Sequence, residues 1–142
     1  MKIEIQKSDE GILRCYPVMK VLRPHLDEGD FLTKVRRQEK QGYQLAACFD
    51  SQNAVCALAG YRICEFMAWG KVLYLDDLIT DPEKKKNGYG GNLIKWIEKV
   101  AVESGCDEIH LDSGYGRNDA HRLYLKCGFH LASHHLSKRL NI

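Results

Sequence analysis

Residues 75–94 read LDDLITDPEKKKNGYGGNLI, and no other stretch limits the fold so tightly. The segment ending at Thr80 has the apolar density of a buried strand, and Asp81-Pro82 stops it, because proline offers no N–H to a ladder. Lys84-Lys85-Lys86 then leads into Gly88-Tyr89-Gly90-Gly91, and a helix begins at once with Leu93, Ile97, Val100 and Ala101 on one face. A strand feeding a glycine-rich turn at a helix start points backbone N–H groups and the positive end of the helix dipole at one spot. Such a turn suits a phosphate. Gly88, Gly90 and Gly91 let the main chain come close to a ligand.

The remaining elements follow from periodicity. Lys2–Gln6 alternates as a short strand. Ser8 or Asp9 can cap a helix through Ile12, Cys15, Tyr16, Met19 and Leu22, with Pro17 set to kink or split it. A second helix, Asp27 to Lys40, buries Phe31, Leu32 and Val35 and turns a basic face outward. Strands are expected at Tyr43–Phe49, Ala54–Phe66 and Lys71–Thr80, the first two joined by a turn at Asp50-Ser51-Gln52-Asn53. After the glycine-started helix come a strand at Glu108–Asp112, a helix at Asn118–Lys126 closed by Gly128, and a last strand at Phe129–Leu140. The order β-α-α-β-β-β-α-β-α-β predicts an α/β fold, with a mixed, mostly antiparallel central sheet and helices on both faces. It is not a doubly wound dinucleotide fold, since the glycine turn follows a central strand and no GxGxxG is present.

Composition narrows the function classes. The 142 residues suit a single domain, 1–142, and a formal charge of +2 lacks the strongly basic stripe of a nucleic-acid binder. Met1-Lys2-Ile3-Glu4-Ile5-Gln6 is not a signal-peptide pattern, and no apolar run reaches the ~18 residues of a membrane span. The six cysteines are scattered without CxxC or finger spacing. These features lead us to expect a reduced, cytoplasmic protein with no metal, no nucleic-acid partner and no membrane partner.

Two segments carry a family resemblance. Lys85-Lys86-Asn87-Gly88-Tyr89-Gly90 resembles the [Q/R]-x-x-G-x-[G/A] acetyl-CoA loop of the GNAT family of N-acetyltransferases, with Lys85 where Arg or Gln is usual. Asn118, Ala120, Leu123-Tyr124, Lys126 and Gly128-Phe129 are similar to that family's N-x-A-x-x-L-Y-x-K-x-G-F segment. The order of elements resembles the family fold as well. The resemblance implies acetyl transfer from acetyl-CoA, as co-substrate, to a primary amine by direct attack in a ternary complex. The acceptor would be a small-molecule amine or a protein amine. Leu78, Ile79 and Thr80 would offer main-chain groups to the pantetheine arm. Lys85, Lys86, Asn87, Gly88, Tyr89, Gly90, Gly91 and Asn92 would surround the diphosphate, and Asn118 would bond to the pantetheine or cofactor amides, with Ala120 packing nearby. Only thirteen residues follow Phe129, short of the two closing strands usual in the family, so a second copy completing the sheet makes a homodimer a candidate.

Tyr124 has two readings. Periodicity alone makes it a core tyrosine, whereas the matched segment makes it the general acid that protonates the departing CoA thiolate, a role typically worth about 10²–10⁴-fold. Asp76 and Asp77 resemble the acidic pair of several small-amine acetyltransferases in the family. Asp76 is expected to relay the amine's proton through water, with simple structural pairing as the alternative. Strand alternation sends the two carboxylates to opposite faces unless a bulge intervenes. The rival to an enzyme is a non-catalytic acyl-CoA-binding or sensing module.

Overall fold

The computed structural model describes residues 1–85 and 87–141, so Lys86, one of the expected diphosphate contacts, lies outside the described residues. The chain divides into two compact units, Met1–Leu111 and a smaller one from Asp112 onward.

In the larger unit β1 (Lys2–Ile5) is followed by α1 (Asp9–Arg14), α2 (Tyr16–Leu22) and α3 (Glu28–Glu39). Ser8 caps α1 by accepting the Gly11 N–H at 3.0 Å. Pro17 splits the expected single helix: α1 stops at Arg14, and the proline sits in the first turn of α2, where it displaces no intrahelical N–H. Then come β2 (Gln44–Phe49), β3 (Val55–Phe66) and β4 (Gly70–Thr80), a 3-10 turn at Pro82–Lys84, α4 (Tyr89–Glu103) and β5 (Glu108–Leu111). The five strands lie in the order β1-β2-β3-β4-β5. Every pairing is antiparallel except β4 with β5. This is the mixed, mostly antiparallel sheet that the element order predicts.

Both faces of the sheet are covered. Ile12, Cys15, Val18, Met19, Phe31 and Val35 from the first three helices pack on Tyr43, Leu45, Ala47, Phe49 and Leu58. Ala46 and Cys48, which point the other way by alternation, have no exposed surface. α4 packs on β3, β4 and β5, and its Trp96 ring meets Tyr61 edge-on at 6.2 Å. Leu93, Ile94 and Ile97 bury that helix.

The smaller unit holds α5 (Asn118–Lys126). It closes as expected, with Gly128 at φ 93° and the Phe129 N–H bonded to the Tyr124 carbonyl at 3.0 Å. The closing strand expected at Phe129–Leu140 is not there, for residues 129–141 carry no strand. The apolar parity breaks inside the segment. Phe129 and Leu131 fall on odd positions and Leu136 and Leu140 on even ones, so no continuous face exists to bury, and the three leucines are exposed.

Candidate active site

The pairing of β3 with β4 slips at one place. Gly60 pairs with Asp77 and Tyr61 with Leu75, which leaves Asp76 as an extra residue on β4. Regular alternation would point Asp76 and Asp77 to opposite faces, but the bulge turns both into one cleft. The cleft holds about 360 Å³ between β4 and the helices, and Arg23, Lys34, Gln38, Tyr43 and Tyr74 also line it. Its floor includes Met19, Phe31 and Val35 from the core.

Neither carboxylate stands alone. Arg62 grips Asp76 in a fork, Nε to Oδ1 at 3.1 Å and Nη2 to Oδ2 at 2.5 Å, and donates again to Gln38 Oε1 at 3.0 Å. Arg23 reaches Asp77 Oδ1 with Nε at 3.0 Å and Nη2 at 2.9 Å, and also donates to the Asp76 carbonyl at 2.8 Å. The Tyr43 hydroxyl donates to Asp77 Oδ2 at 2.9 Å. Burial, with the Asp77 charge adding to it, pushes that phenol well above its ordinary value, so it remains a donor. All four carboxylate oxygens therefore hold at least one donor. An ionised carboxylate offers about four acceptor positions, so each can still take a water.

Gly60 makes the arrangement possible. A methyl group there would sit 2.0 Å from the Tyr43 hydroxyl oxygen and 2.7 Å from Asp77 Oδ2. Periodicity and the two matched segments do not mark Arg23, Arg62, Tyr43 and Gln38 as site residues. A signal was nonetheless present, since Arg62 interrupts an apolar strand that pairs with the one holding two adjacent acids. Charges in such a place must pair.

Beyond the bulge the two edges of β4 differ. Leu78, Ile79 and Thr80 pair with Ala59, Leu58 and Ala57 of β3. On the other side β5 pairs only with Val72–Leu75, so among the described residues no strand meets β4 from Asp76 to Thr80 along that edge. An extended ligand can add there as a strand would. The chain then passes the 3-10 turn and Lys85, and enters α4 through Gly88 in the left-handed conformation, φ 78° and ψ 10°. Asn87 braces this approach, its side chain donating to the Lys84 carbonyl at 2.9 Å. No side chain caps α4, and its first backbone bond runs from the Asn92 N–H to the Gly88 carbonyl. Among the described residues, the N–H groups of Gly88, Tyr89, Gly90 and Gly91 are the helix-start donors that a ligand can use.

The lysine run does not act as one charge. Lys84 bonds Asp50 Oδ2 at 2.6 Å and ties the β2–β3 turn to the approach. Together with the Ala54 and Gln52 N–H groups, it draws the Asp50 carboxyl down to about 2. Lys85 stays exposed.

In the smaller unit Asn118 opens α5 and is exposed, Ala120 is half-buried, and Tyr124 is 7% exposed. The Tyr124 ring meets Phe129 edge-on at 5.8 Å. Burial raises its phenol above the ordinary value, with Arg117 opposing, and its hydroxyl has no hydrogen-bond partner among the described residues. A protonated, unengaged phenol can give up a proton. Among the described residues no group of three His, Cys, Asp or Glu side chains is placed to hold a metal.

A model of the GNAT acetyltransferase family matches residues 10–129. The uncharacterised N-acetyltransferase YhdJ of Bacillus subtilis is 33% identical over 129 residues, covering 89% of this chain and 90% of its own. An aminoglycoside N(6')-acetyltransferase of Acinetobacter genomosp. 13 is 28% identical over 116 residues, 78% and 79% of the two chains. The crystal structure of an aminoglycoside N-acetyltransferase in complex with CoA superposes with a TM-score of 0.81 at 15% identity over 99% of this chain and 96% of that one, a likeness of fold.

Proposed function

This chain belongs to the GNAT acetyltransferase family and transfers acetyl to an amine; from that premise we propose that acetyl-CoA is the donor, that residues 1–142 act as one catalytic domain, and that the amine attacks directly in a ternary complex. The carrying observation is the edge of β4 from Asp76 to Thr80, which no strand meets among the described residues, running into an uncapped, glycine-started helix. Main-chain groups of Leu78, Ile79 and Thr80 hold the pantetheine amides. The N–H groups from Gly88 to Gly91 hold the diphosphate, with Lys85, Lys86, Asn87 and Asn92 around them, and Asn118 and Ala120 meet the cofactor's arm.

The chemistry needs a proton removed from the amine and one given to the leaving thiolate. Tyr124 supplies the second, and its raised phenol keeps it protonated at neutral pH. Asp76 relays the first through a water, because Arg62 already occupies one position on each of its oxygens. The guanidinium holds the carboxylate still, so the relay does not wander. The six cysteines are all free, which supports a reducing cytoplasmic setting. Among the described residues, no helix is long and apolar enough to cross a membrane.

The test is release of CoA thiol from acetyl-CoA with a panel of amines, run beside calorimetric titration with CoA. Thiol release that depends on an amine supports the reading and rules out a module that binds acyl-CoA without transfer. Absence of CoA binding would remove the reading altogether.

A further inference from the structure

The cleft beside Asp76 and Asp77 contains two acids, yet it has no unpaired negative charge to offer. Arg62 takes both oxygens of Asp76, while Arg23 and Tyr43 take those of Asp77. Two guanidiniums cancel two carboxylates, and Lys34 of α3 still lines the same cleft. Lys34 has no ion-pair or hydrogen-bond partner among the described residues, although Asp30 stands one helical turn earlier. The neighbouring cation on α3, Arg36, is by contrast fully engaged with Asp9 and Glu39. Among the described residues, the cleft therefore carries one uncompensated, half-buried positive charge.

We propose that this cleft selects small amines that carry an anionic group of their own, and that Lys34 is the residue that binds that group. The proposal rests on the acetyltransferase reading above and specifies its acceptor. A polyamine or aminoglycoside brings several ammonium groups into a space where every acid is neutralised, so it gains no partner and meets like charge. An amine bearing a carboxylate or phosphonate pairs that end with Lys34 and turns its nitrogen toward β4. The surrounding cations also favour the neutral, nucleophilic form of that nitrogen. A cleft of about 360 Å³ fits a small molecule rather than a folded surface.

The experiment compares ω-amino acids of two to six carbons with their own amides and with spermidine, by CoA thiol release and by thermal shift of the acetyl-CoA-loaded protein. Each pair shares a backbone and differs only in the anion. The acids should exceed their amides in kcat/KM by about two- to fivefold, the size expected of one partly exposed charge pair. Lys34→Gln should shrink that ratio toward one, and Lys34→Glu should reverse it. Equal rates for acids and amides, faster turnover of spermidine, or a Lys34→Gln variant that lowers acid and amide alike would overturn the proposal. Loss of turnover with every amine counts against the acetyltransferase reading instead. The thermal-shift arm then still decides the selectivity, since an acid that raises the melting temperature no more than its amide leaves Lys34 without the role.

Discussion

At Gly60 a single hydrogen in place of a methyl group decides whether the cleft exists. Its position allows the Tyr43 phenol and Asp77 to meet over the strand. Gly60→Ala should cost about 1–3 kcal/mol in urea unfolding, the usual price of overpacking, and should lower turnover with the amine more than it weakens acetyl-CoA. Tyr124 has a different signature. Tyr124→Phe keeps the ring against Phe129 and removes only the proton, so turnover should fall at least about tenfold with acetyl-CoA affinity little changed. The sign of the pH effect follows from burial. A phenol raised above its ordinary value stays protonated through neutral pH, so the activity loss that belongs to Tyr124 should appear only on the alkaline side, above pH 10.0. A pH–rate profile of wild type and Tyr124→Phe checks this.

At the scale of the element, the glycine-started helix separates fold from ligand. Gly88 adopts φ 78° with its nearest obstacle, Asn92 Nδ2, at 3.8 Å, so Gly88→Ala is conformationally strained rather than clashing. It should lower stability by about 1–2 kcal/mol. Gly91 is helical, and among the described residues nothing lies within 4 Å of its would-be methyl. Gly91→Ala should therefore leave the melting temperature unchanged or slightly raised, yet weaken acetyl-CoA binding by crowding the diphosphate. Thermal shift with and without acetyl-CoA tests both variants in one plate, and unchanged affinity in Gly91→Ala would move the diphosphate elsewhere. The approach to this helix carries its own pH dependence. Asp50 has its carboxyl drawn from 3.8 to about 2 by Lys84 and the turn amides, so folding favours its ionised form. That contribution is present above pH 3.8 and fades as the pH falls toward about 2. Wild type and Asp50→Asn should accordingly differ in stability at pH 5 and above and converge in strong acid, as read by melting curves across that range.

At the scale of the whole molecule, a ligand that binds only the folded chain must stabilise it. Acetyl-CoA at about a hundred times its dissociation constant should contribute about 2.7 kcal/mol, which for a chain of this size is a rise of roughly 5–10 °C in melting temperature. The sequence by itself determined what local physics controls. Helix periods, the Pro17 split, the Ser8 cap, the glycine turn and the Gly128 stop each depend on residues a few positions apart. With them came the element order, the mixed sheet and the two matched segments. The expected closing strand is absent from residues 129–141, where the apolar parity breaks after Leu131. What only the tertiary structure decided is the character of the cleft. A bulge is a mismatch in residue count between two strands, and neither strand records it alone. The pairings that neutralise Asp76 and Asp77 join residues 14 and 54 positions apart. Until the sheet and helices close, the adjacent aspartates look like an acidic patch. Once closed, they are the anchored half of two ion pairs, and the charge left over belongs to Lys34, because cancellation between distant side chains depends on distance in space and not on order in the chain.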